Sequence, residues 1–249
     1  MKRLLLLILV AAPILALLAA VTPAEAQSFS FDLGQGGQAG TTSRLIQITV
    51  LMAVLSLAPS LLVMLTAFTR IVIVLSLLRS GIGAQGTPPN TVIIGLSLFL
   101  TFFVMQPTLD QAWTDGVLPM ARGQASEIEG LRGAAEPFHK FMVTNARPAD
   151  LTTFLDMARM ETPDRPEDVP WRALVPAFMV GELRRAFEMG FVLFLPFLII
   201  DMVVASVLMS MGMMMLPPSV VSLPFKLVFF VLVDGWRLIS GSLVQSFHG

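Results

Sequence analysis

Two opposite charges lie inside long apolar runs near the end of the chain. Asp201 lies in the run 190–216, and Lys226 lies in the run 220–233. Charges in such runs are costly, so they face protein or water rather than lipid, and they usually mark function. A lysine stem can bridge a difference in depth of several ångströms. Pairing within one chain and pairing between neighbouring copies are both open, and proton coupling at Asp201 is a sharper hypothesis.

Arg70 is a third charge of this kind, in the apolar run 45–78. A guanidinium cannot be deprotonated in a protein, so it needs an anion or carbonyl groups around it. We expect Arg70 to contact a carboxylate or the C-terminus of a helix. Arg184, Arg185 and Glu188 bound the third apolar run, and we interpret them as interfacial charges.

Methionines are concentrated where the third apolar run meets the fourth. Their unbranched thioether side chains suit a surface that closes against changing shapes. A methionine stripe is also common in ordinary helix packing, and from the residues alone both interpretations stand. The candidate pore-gate methionines are Met209, Met211, Met213, Met214 and Met215, and the turn residues are Gly212, Pro217 and Pro218.

Most enzymatic and metal chemistry lacks its side chains here. The chain has no cysteine and two histidines, so it offers no thiolate and no HExxH motif. Neither His139 nor His248 lies in an apolar run or has companions at metal-ligand spacing. We therefore predict no catalytic residues, no metal and no cofactor. The net charge of −1 gives no reason to expect binding to nucleic acid.

The composition is that of an integral membrane protein. Hydrophobic residues make up 55% of the chain and charged residues 13%, against about 25% charged in soluble domains. We predict an all-α membrane protein in which Pro59 splits the first run and Pro196 kinks the third. The predicted apolar helical segments are 45–78, 92–105, 190–216 and 220–233.

The predicted organisation has two apolar hairpins around a small helical domain. Arg70 and Arg79 near the first connection favour the cytoplasm for the loop 79–90 and the outside for the acidic central segment. The methionine turn then points towards the cytoplasm. The predicted parts are a cleavable signal peptide (1–26), a flexible leader (27–44), a first hairpin (45–109), an extracytoplasmic helical domain (110–186) and a second hairpin with the methionine loop (187–249).

Three blocks of the sequence resemble the FliP family of flagellar type III export-gate proteins. They are PSLLVMLTAFTRIVIVLSLLRSGIGAQ (59–85), PPNTVIIGLSLFLTFFVMQP (88–107) and the segment 194–236, which contains MSMGMMMLPP and SLPFKL. The resemblance implies a subunit of the membrane-embedded pore for unfolded flagellar proteins, in which the methionine loop seals the pore. It also implies that much of the apolar sequence is held above the bilayer plane, inside the flagellar base.

The resemblance further implies partners and a location. A homo-oligomer, expected to be a pentamer, would join FliR and FliQ type subunits and other export-apparatus proteins. The complex would lie in the bacterial inner membrane at the flagellar basal body. Unfolded flagellar proteins would be its substrates.

Two other classes of function fit the residues less well. An intramembrane protease would need a nucleophile and a base that the apolar runs do not supply. A small-solute or ion transporter usually shows inverted repeats with matching broken helices, and the hairpins 45–107 and 190–246 are not visibly similar. The transporter remains the alternative.

The N-terminus carries the marks of a secretory signal peptide. Lys2 and Arg3 precede the apolar run 4–21, and Ala24-Glu25-Ala26 forms an A-x-A site. N-terminal sequencing of the membrane-purified protein should therefore begin near Gln27. A sequence that began at Met1 would contradict cleavage after Ala26 and add one membrane crossing.

Overall fold

The computed structural model describes residues 49, 52–53, 56–57, 59–84, 86–213 and 215–247. Contacts divide the chain into two units, residues 1–55 and residues 56–249. The predicted signal peptide, its cleavage site at Ala26 and Gln27, and the leader 27–44 lie outside the described residues.

The second unit consists of helices and turns, with no strand among its described residues. A π-helical turn (Trp113–Val117) and a 3-10 turn (Pro166–Asp168) connect some of the helices. The prediction of an all-α membrane protein is confirmed. The helices are α1 (Pro59–Leu65), α2 (Phe68–Ile82), α3 (Asn90–Ala112), α4 (Leu118–Ala121), α5 (Glu127–Asn145), α6 (Pro148–Met157), α7 (Trp171–Ser210), α8 (Pro218–Leu232) and α9 (Gly235–Gln245).

Two of the described helices are long and apolar enough to cross a membrane. They are the continuous helix Asn90–Ala121, formed by α3, the π turn and α4, and the 40-residue helix α7. The bent pairs α1–α2 (84°) and α8–α9 (62°) would each supply one more crossing. At about 1.5 Å per residue α7 is about 60 Å long, roughly twice the hydrocarbon core of a bilayer. Part of α7 must therefore lie outside the bilayer.

One helix end differs from the predicted one at a proline. α3 continues through Pro107, beyond the predicted segment 92–105, and α7 contains Pro196, where a kink was predicted, within one helix. The predicted central domain 110–186 therefore shares helices with both hairpins. A proline removes one backbone hydrogen bond and crowds the preceding turn, but neighbouring helices, hydroxyl side chains and water can satisfy the freed carbonyl. Tertiary packing outweighs this local cost here.

The first apolar run bends at Thr66 and Ala67, between α1 and α2, and Pro59 is the first residue of α1. Threonine hydroxyls compensate for the interrupted backbone bonds. The Thr66 hydroxyl donates to the carbonyl of Leu62 at 2.5 Å, and the Thr69 hydroxyl donates to the carbonyl of Val63 at 2.7 Å. Hydroxyl side chains compete with the helix ladder in this way, so the 84° bend falls at the threonines. The predicted split at Pro59 stays a prediction, because residue 58 lies outside the described residues.

The main core lies around α2, which packs between α3 and α7. Burial of each large apolar side chain contributes about 1.5–3 kcal/mol, and α2 supplies more of them than any other described helix. A second cluster joins α5 to the start of α7 through Met142, Val169, Leu174 and Phe178. The buried apolar residues of α2 are Ile71, Val74, Leu75, Leu78 and Ile82.

Helix α5 begins with a capping box. The Ser126 hydroxyl accepts a hydrogen bond from the backbone N–H of Glu129, and the Glu129 carboxylate accepts one from the backbone N–H of Ser126 at 2.9 Å. That backbone bond, with a second from the Ser126 side chain, lowers the pKa of Glu129. Two orphan N–H groups of the helix start are satisfied in this way.

Glycines allow α5 to cross the π turn at very short range. A Cβ atom on Gly133 would meet the carbonyl oxygen of Asp115, and one on Gly116 would meet the backbone of Ala134. Backbone atoms cannot move aside as a flexible side chain can. The two elements can therefore touch only because both positions lack a side chain.

Gly133→Ala should accordingly lower the free energy of unfolding by about 1–3 kcal/mol, the usual cost of overpacking. Gly95 in α3 is the matched control, because a Cβ there has nothing within 4 Å. Gly95→Ala should be neutral or stabilise the helix by about 0.5–1 kcal/mol. Thermal unfolding of the purified protein in detergent measures both, and equal midpoints for the two variants would refute the close crossing.

Candidate functional site: a methionine-rich loop and its charged support

The methionine-rich loop begins where a glycine ends helix α7. Gly212 has φ of +73°, a left-handed conformation that favours glycine. The N–H of Gly212 donates to the carbonyl of Met209 at 3.1 Å, and the N–H of Met213 donates to the carbonyl of Leu208 at 3.0 Å. This pair of bonds is the Schellman motif, which satisfies two carbonyls at a helix C-terminus. Helix α7 therefore stops at a fixed place.

Two prolines fix the C-terminal end of the loop. Pro217 precedes α8 and Pro218 is its first residue, a position where the missing N–H costs nothing. Between these two stops the described methionine side chains point largely outward. Met215 is 97% exposed and Met211 is 64% exposed. The loop is therefore not a packed core of the single chain.

The structure places the other candidate methionines on the same loop or beside it. Met209 lies in the last turn of α7 and is 60% exposed, and Met213 is 37% exposed. Met214 lies outside the described residues. Its predicted place in the gate stays a prediction, as does the gate role of the other four methionines.

Asp201 and Lys226 meet within one chain. The Lys226 ammonium lies 2.6 Å from Asp201 Oδ2, and the Ser222 hydroxyl donates to Asp201 Oδ1 at 2.5 Å. The Lys226 side chain is 5% exposed and that of Asp201 is 32% exposed. Of the two pairings left open by the sequence, the structure therefore contains the one inside the second hairpin. The pair ties α7 to α8 behind the loop.

Lys226 also reaches the first hairpin. Its ammonium donates to the carbonyl of Gly81 at 3.1 Å, in the last turn of α2. The last four carbonyls of a helix have no partner within the helix, and a cation there is also favoured by the helix dipole. Lys226 thus satisfies an orphan carbonyl and holds α2, α7 and α8 at one point.

Arg70 lies deeper in the protein and has both kinds of partner expected from the sequence. Its Nε donates to Glu182 Oε2 at 2.8 Å, and its Nη2 bonds Glu182 Oε1 in a two-pronged pair. Its Nη1 donates to the carbonyl of Ser246, the residue that caps α9. The Arg70 and Glu182 side chains are at most 1% exposed. This pair ties α2 to α7 far from water.

Arg185, one turn after Glu182 on α7, also contacts both a carboxylate and a helix C-terminus. Its Nη1 donates to the carbonyl of Asn145, the last residue of α5, at 2.9 Å. It also lies 3.7 Å from Glu182 Oε1. Arg185 therefore has partners inside the protein, beyond the interfacial role that the sequence suggested. Arg184 and Glu188 form an exposed pair at 2.8 Å.

Glu182, Ser222 and Gly81 were missed by the sequence analysis. A signal for Glu182 was present, because it shares one helical face of α7 with small or apolar residues four positions apart: Leu174, Phe178, Ala186 and Gly190. A lone carboxylate on such a face needs a buried cation. Ser222 and the Gly81 carbonyl give no comparable signal, because ordinary serines and backbone carbonyls occur throughout the chain.

A model of the FliP family matches residues 51–243, which include the methionine-rich loop and both the Asp201–Lys226 and the Arg70–Glu182 pairs. The chain belongs to the FliP family. The resemblance carried by the three sequence blocks is confirmed. In this FliP-family chain, the match includes α1 to α8 in full and ends within α9.

Relatives of known name extend the similarity over most of this FliP-family chain. The flagellar biosynthetic protein FliP of Caulobacter vibrioides is 51% identical over 234 residues, which cover 94% of this chain and 88% of that protein. The FliP protein of Rhizobium meliloti is 49% identical, with 94% and 97% covered. That of Bacillus subtilis is 51% identical, with 82% and 93% covered.

The Asp201–Lys226 pair can be tested with a double-mutant cycle. Asp201→Asn or Lys226→Met alone should lower the free energy of unfolding by about 1–3 kcal/mol, because the remaining charge loses its partner. The double variant should lose less than the two single losses added together. Denaturant unfolding of the purified protein in detergent measures the coupling.

The exposed pair Arg237–Asp234 provides the control. Its atoms are 3.7 Å apart and the Arg237 side chain is 87% exposed, so Arg237→Gln should change stability little. Strictly additive losses for Asp201→Asn and Lys226→Met would show that the two groups act separately despite their contact.

Proposed function

We propose that this FliP-family chain is a core subunit of the flagellar protein export gate, forming part of the membrane pore for unfolded flagellar proteins. The observation that carries the proposal is an exposed methionine loop at the tip of two apolar helices that buried charges hold together. The names of its relatives, flagellar biosynthetic proteins, support the same export-apparatus role. The role proposed is structural and not enzymatic.

The loop has the properties of a deformable seal. Its methionines carry polarizable side chains that repack around different shapes. Met215 and Met211 face away from their own chain, so they are available to the same loop in neighbouring copies or to a passing substrate. The other interpretation left open by the sequence, packing within the chain's own core, receives no support from this exposure.

The two helices that carry the loop, α7 and α8, are fixed on both sides of it. The glycine motif that ends α7 and the proline that starts α8 fix both edges of the loop. The Asp201–Lys226 pair lies two to three turns below and prevents the helices from separating. Soft contact at the tip can then open and close without unfolding the hairpin.

The assembly and its location follow from the family and extend the proposal. The chain would form a homo-oligomer, expected to be a pentamer, with FliR and FliQ type subunits in the bacterial inner membrane at the flagellar basal body. Many large apolar side chains of the single chain are exposed, which supports burial by lipid or by other subunits. The central helices would lie on the extracytoplasmic side, and the mature chain would begin after the signal peptide.

The alternative, a small-solute or ion transporter, has less support. Such transporters place polar groups around a site at the membrane midplane between repeated halves. Here the buried charges are engaged with one another and with helix C-termini. A monomer in native mass measurements would favour the transporter, and a ring of copies would favour the gate.

The gate hypothesis predicts a leak when the loop loses its methionines. Replacing Met213, Met214 and Met215 together with alanine should leave assembly intact, because the helix contacts lie elsewhere. The variant should pass ions or small solutes when the complex is overproduced, seen as conductance or slowed growth. Met202→Ala is the control, since Met202 is an exposed methionine on α7 outside the loop.

Two results would contradict the gate. If the triple variant assembles and the membranes stay as tight as wild type, the seal lies elsewhere. If Met202→Ala leaks as much as the triple variant, exposed methionines of this protein share a general packing role.

A further inference from the structure

Helix α9 is held by very few contacts of its own. It has 11 residues, below the roughly 12–15 at which an isolated helix becomes marginally stable. Only Ile239 and Leu243 among its residues are large, apolar and buried. It also leaves α8 at a bend of 62°, so it cannot continue that helix. Beyond these side chains, its Trp236 ring lies 5.3 Å from that of Phe230 in α8, so α9 has only a small apolar anchor of its own.

The residues that follow α9 are bound to the buried Arg70. Ser246 accepts two hydrogen bonds from Arg70 Nη1, one to its carbonyl at 3.0 Å and one to its hydroxyl at 2.8 Å. The guanidinium carbon lies 3.6 Å from the ring centre of Phe247. That ring stacks in turn on Phe141 of α5, with 6.1 Å between ring centres. A single guanidinium therefore engages both residues of the segment.

We infer that residues Ser246 and Phe247 act as a strap that docks α9, and that Arg70 is the positioning residue that fastens it. Glu182 orients the guanidinium from the opposite side, so one of its edges is left for the strap. A cation held over an aromatic face away from water is among the stronger contacts of this kind. The strap closes a loop in the fold, from the end of α9 back to α2.

The strap has a consequence for the arm that carries the methionine loop. Helix α9 follows α8 after Val233 and Asp234, and Asp234 adopts a left-handed conformation with φ of +51°. A turn this short limits how far the two helices can move independently. Docking α9 therefore sets the angle of α8, on which Lys226 lies.

Cysteine labelling can test the strap, because the natural chain contains no cysteine. In the full chain in detergent, Leu243→Cys reports undocking of α9, since Leu243 is fully buried. Leu238→Cys on the same helix is the exposed control at 58%, and Leu155→Cys in α6 is buried at 1% and reports global unfolding. Maleimide labelling rates follow the population of the opened state when opening is fast.

Two substitutions at Phe247 separate the strap from ordinary packing. Phe247→Leu keeps apolar bulk but loses the aromatic face, and Phe247→Tyr keeps the face. Labelling of Leu243→Cys should rise about tenfold with Phe247→Leu and stay near wild type with Phe247→Tyr. Labelling of Leu155→Cys should remain slow throughout, and that of Leu238→Cys should remain fast.

Three results would overturn the inference. Equal labelling of Leu243→Cys with leucine and with tyrosine at position 247 would make the ring a packing residue. Unchanged protection in both variants would show that α9 docks without the strap. Parallel increases at Leu243→Cys and Leu155→Cys would show that Phe247 supports the whole fold and holds no separate strap.

Discussion

Two of the carboxylates on helix α7, those of Glu182 and Asp201, are the constraint on which the rest of the structure depends. Glu182 and Asp201 are separated by about 28 Å along one continuous helix, at about 1.5 Å per residue. Glu182 forms an ion pair with Arg70 of α2, and Asp201 forms one with Lys226 of α8. Because both acceptors belong to the same rigid element, the positions of the two cations are fixed relative to each other.

These two cations, and Arg185 as a third, each donate to a carbonyl at a helix C-terminus. Arg70 bonds the carbonyl that caps α9, Lys226 bonds a carbonyl in the last turn of α2, and Arg185 bonds the last carbonyl of α5. A helix end buried without partners would leave several carbonyls unsatisfied. Each of these side chains therefore pairs with a carboxylate and also satisfies a carbonyl at the end of a helix. Loss of one such group would disturb two elements.

Buried ion pairs are weak evidence for stability, since an apolar pair of similar size is often as stable or more stable. What they add is geometric selectivity. A two-pronged contact between a guanidinium and a carboxylate tolerates little rotation, whereas apolar surfaces can slide over one another. Helices of apolar composition gain register from Arg70–Glu182 that packing alone would not give. We regard this register as the reason for charges in such hydrophobic helices.

The sequence carried enough information for the class of fold and for some of the site. Asp201, Lys226 and Arg70 stood out because a charge contrasts with an apolar run, and the methionine turn stood out because glycine and proline bound it. Glu182 did not stand out, because its neighbours Arg184, Arg185 and Glu188 gave the segment a polar character. Only the fold shows that Glu182 alone among these acids points into the core.

Helix breaks were harder to predict for a related reason. Proline is the strongest local signal for a break, yet α3 continues through Pro107, and the first run bends at Thr66. A break is favourable where nearby groups satisfy the backbone that it frees. At Thr66 two hydroxyls do this through bonds over four and six residues. Such compensation depends on tertiary geometry, which a sequence window does not contain.

The second hairpin consists of two regular helices and a methionine-rich loop with sharp boundaries between them. The candidate gate methionines lie between Ser210, where α7 ends, and Pro218, where α8 begins, or, for Met209, in the last turn of α7. Had the helices ended by fraying, motion at the loop would spread towards Asp201 and Lys226 and expose their charges. The glycine motif on one side and the proline on the other stop this spread within a turn. In the proposed gate, the deformable methionine side chains would therefore be attached to a pair of helices that the Asp201–Lys226 contact holds together.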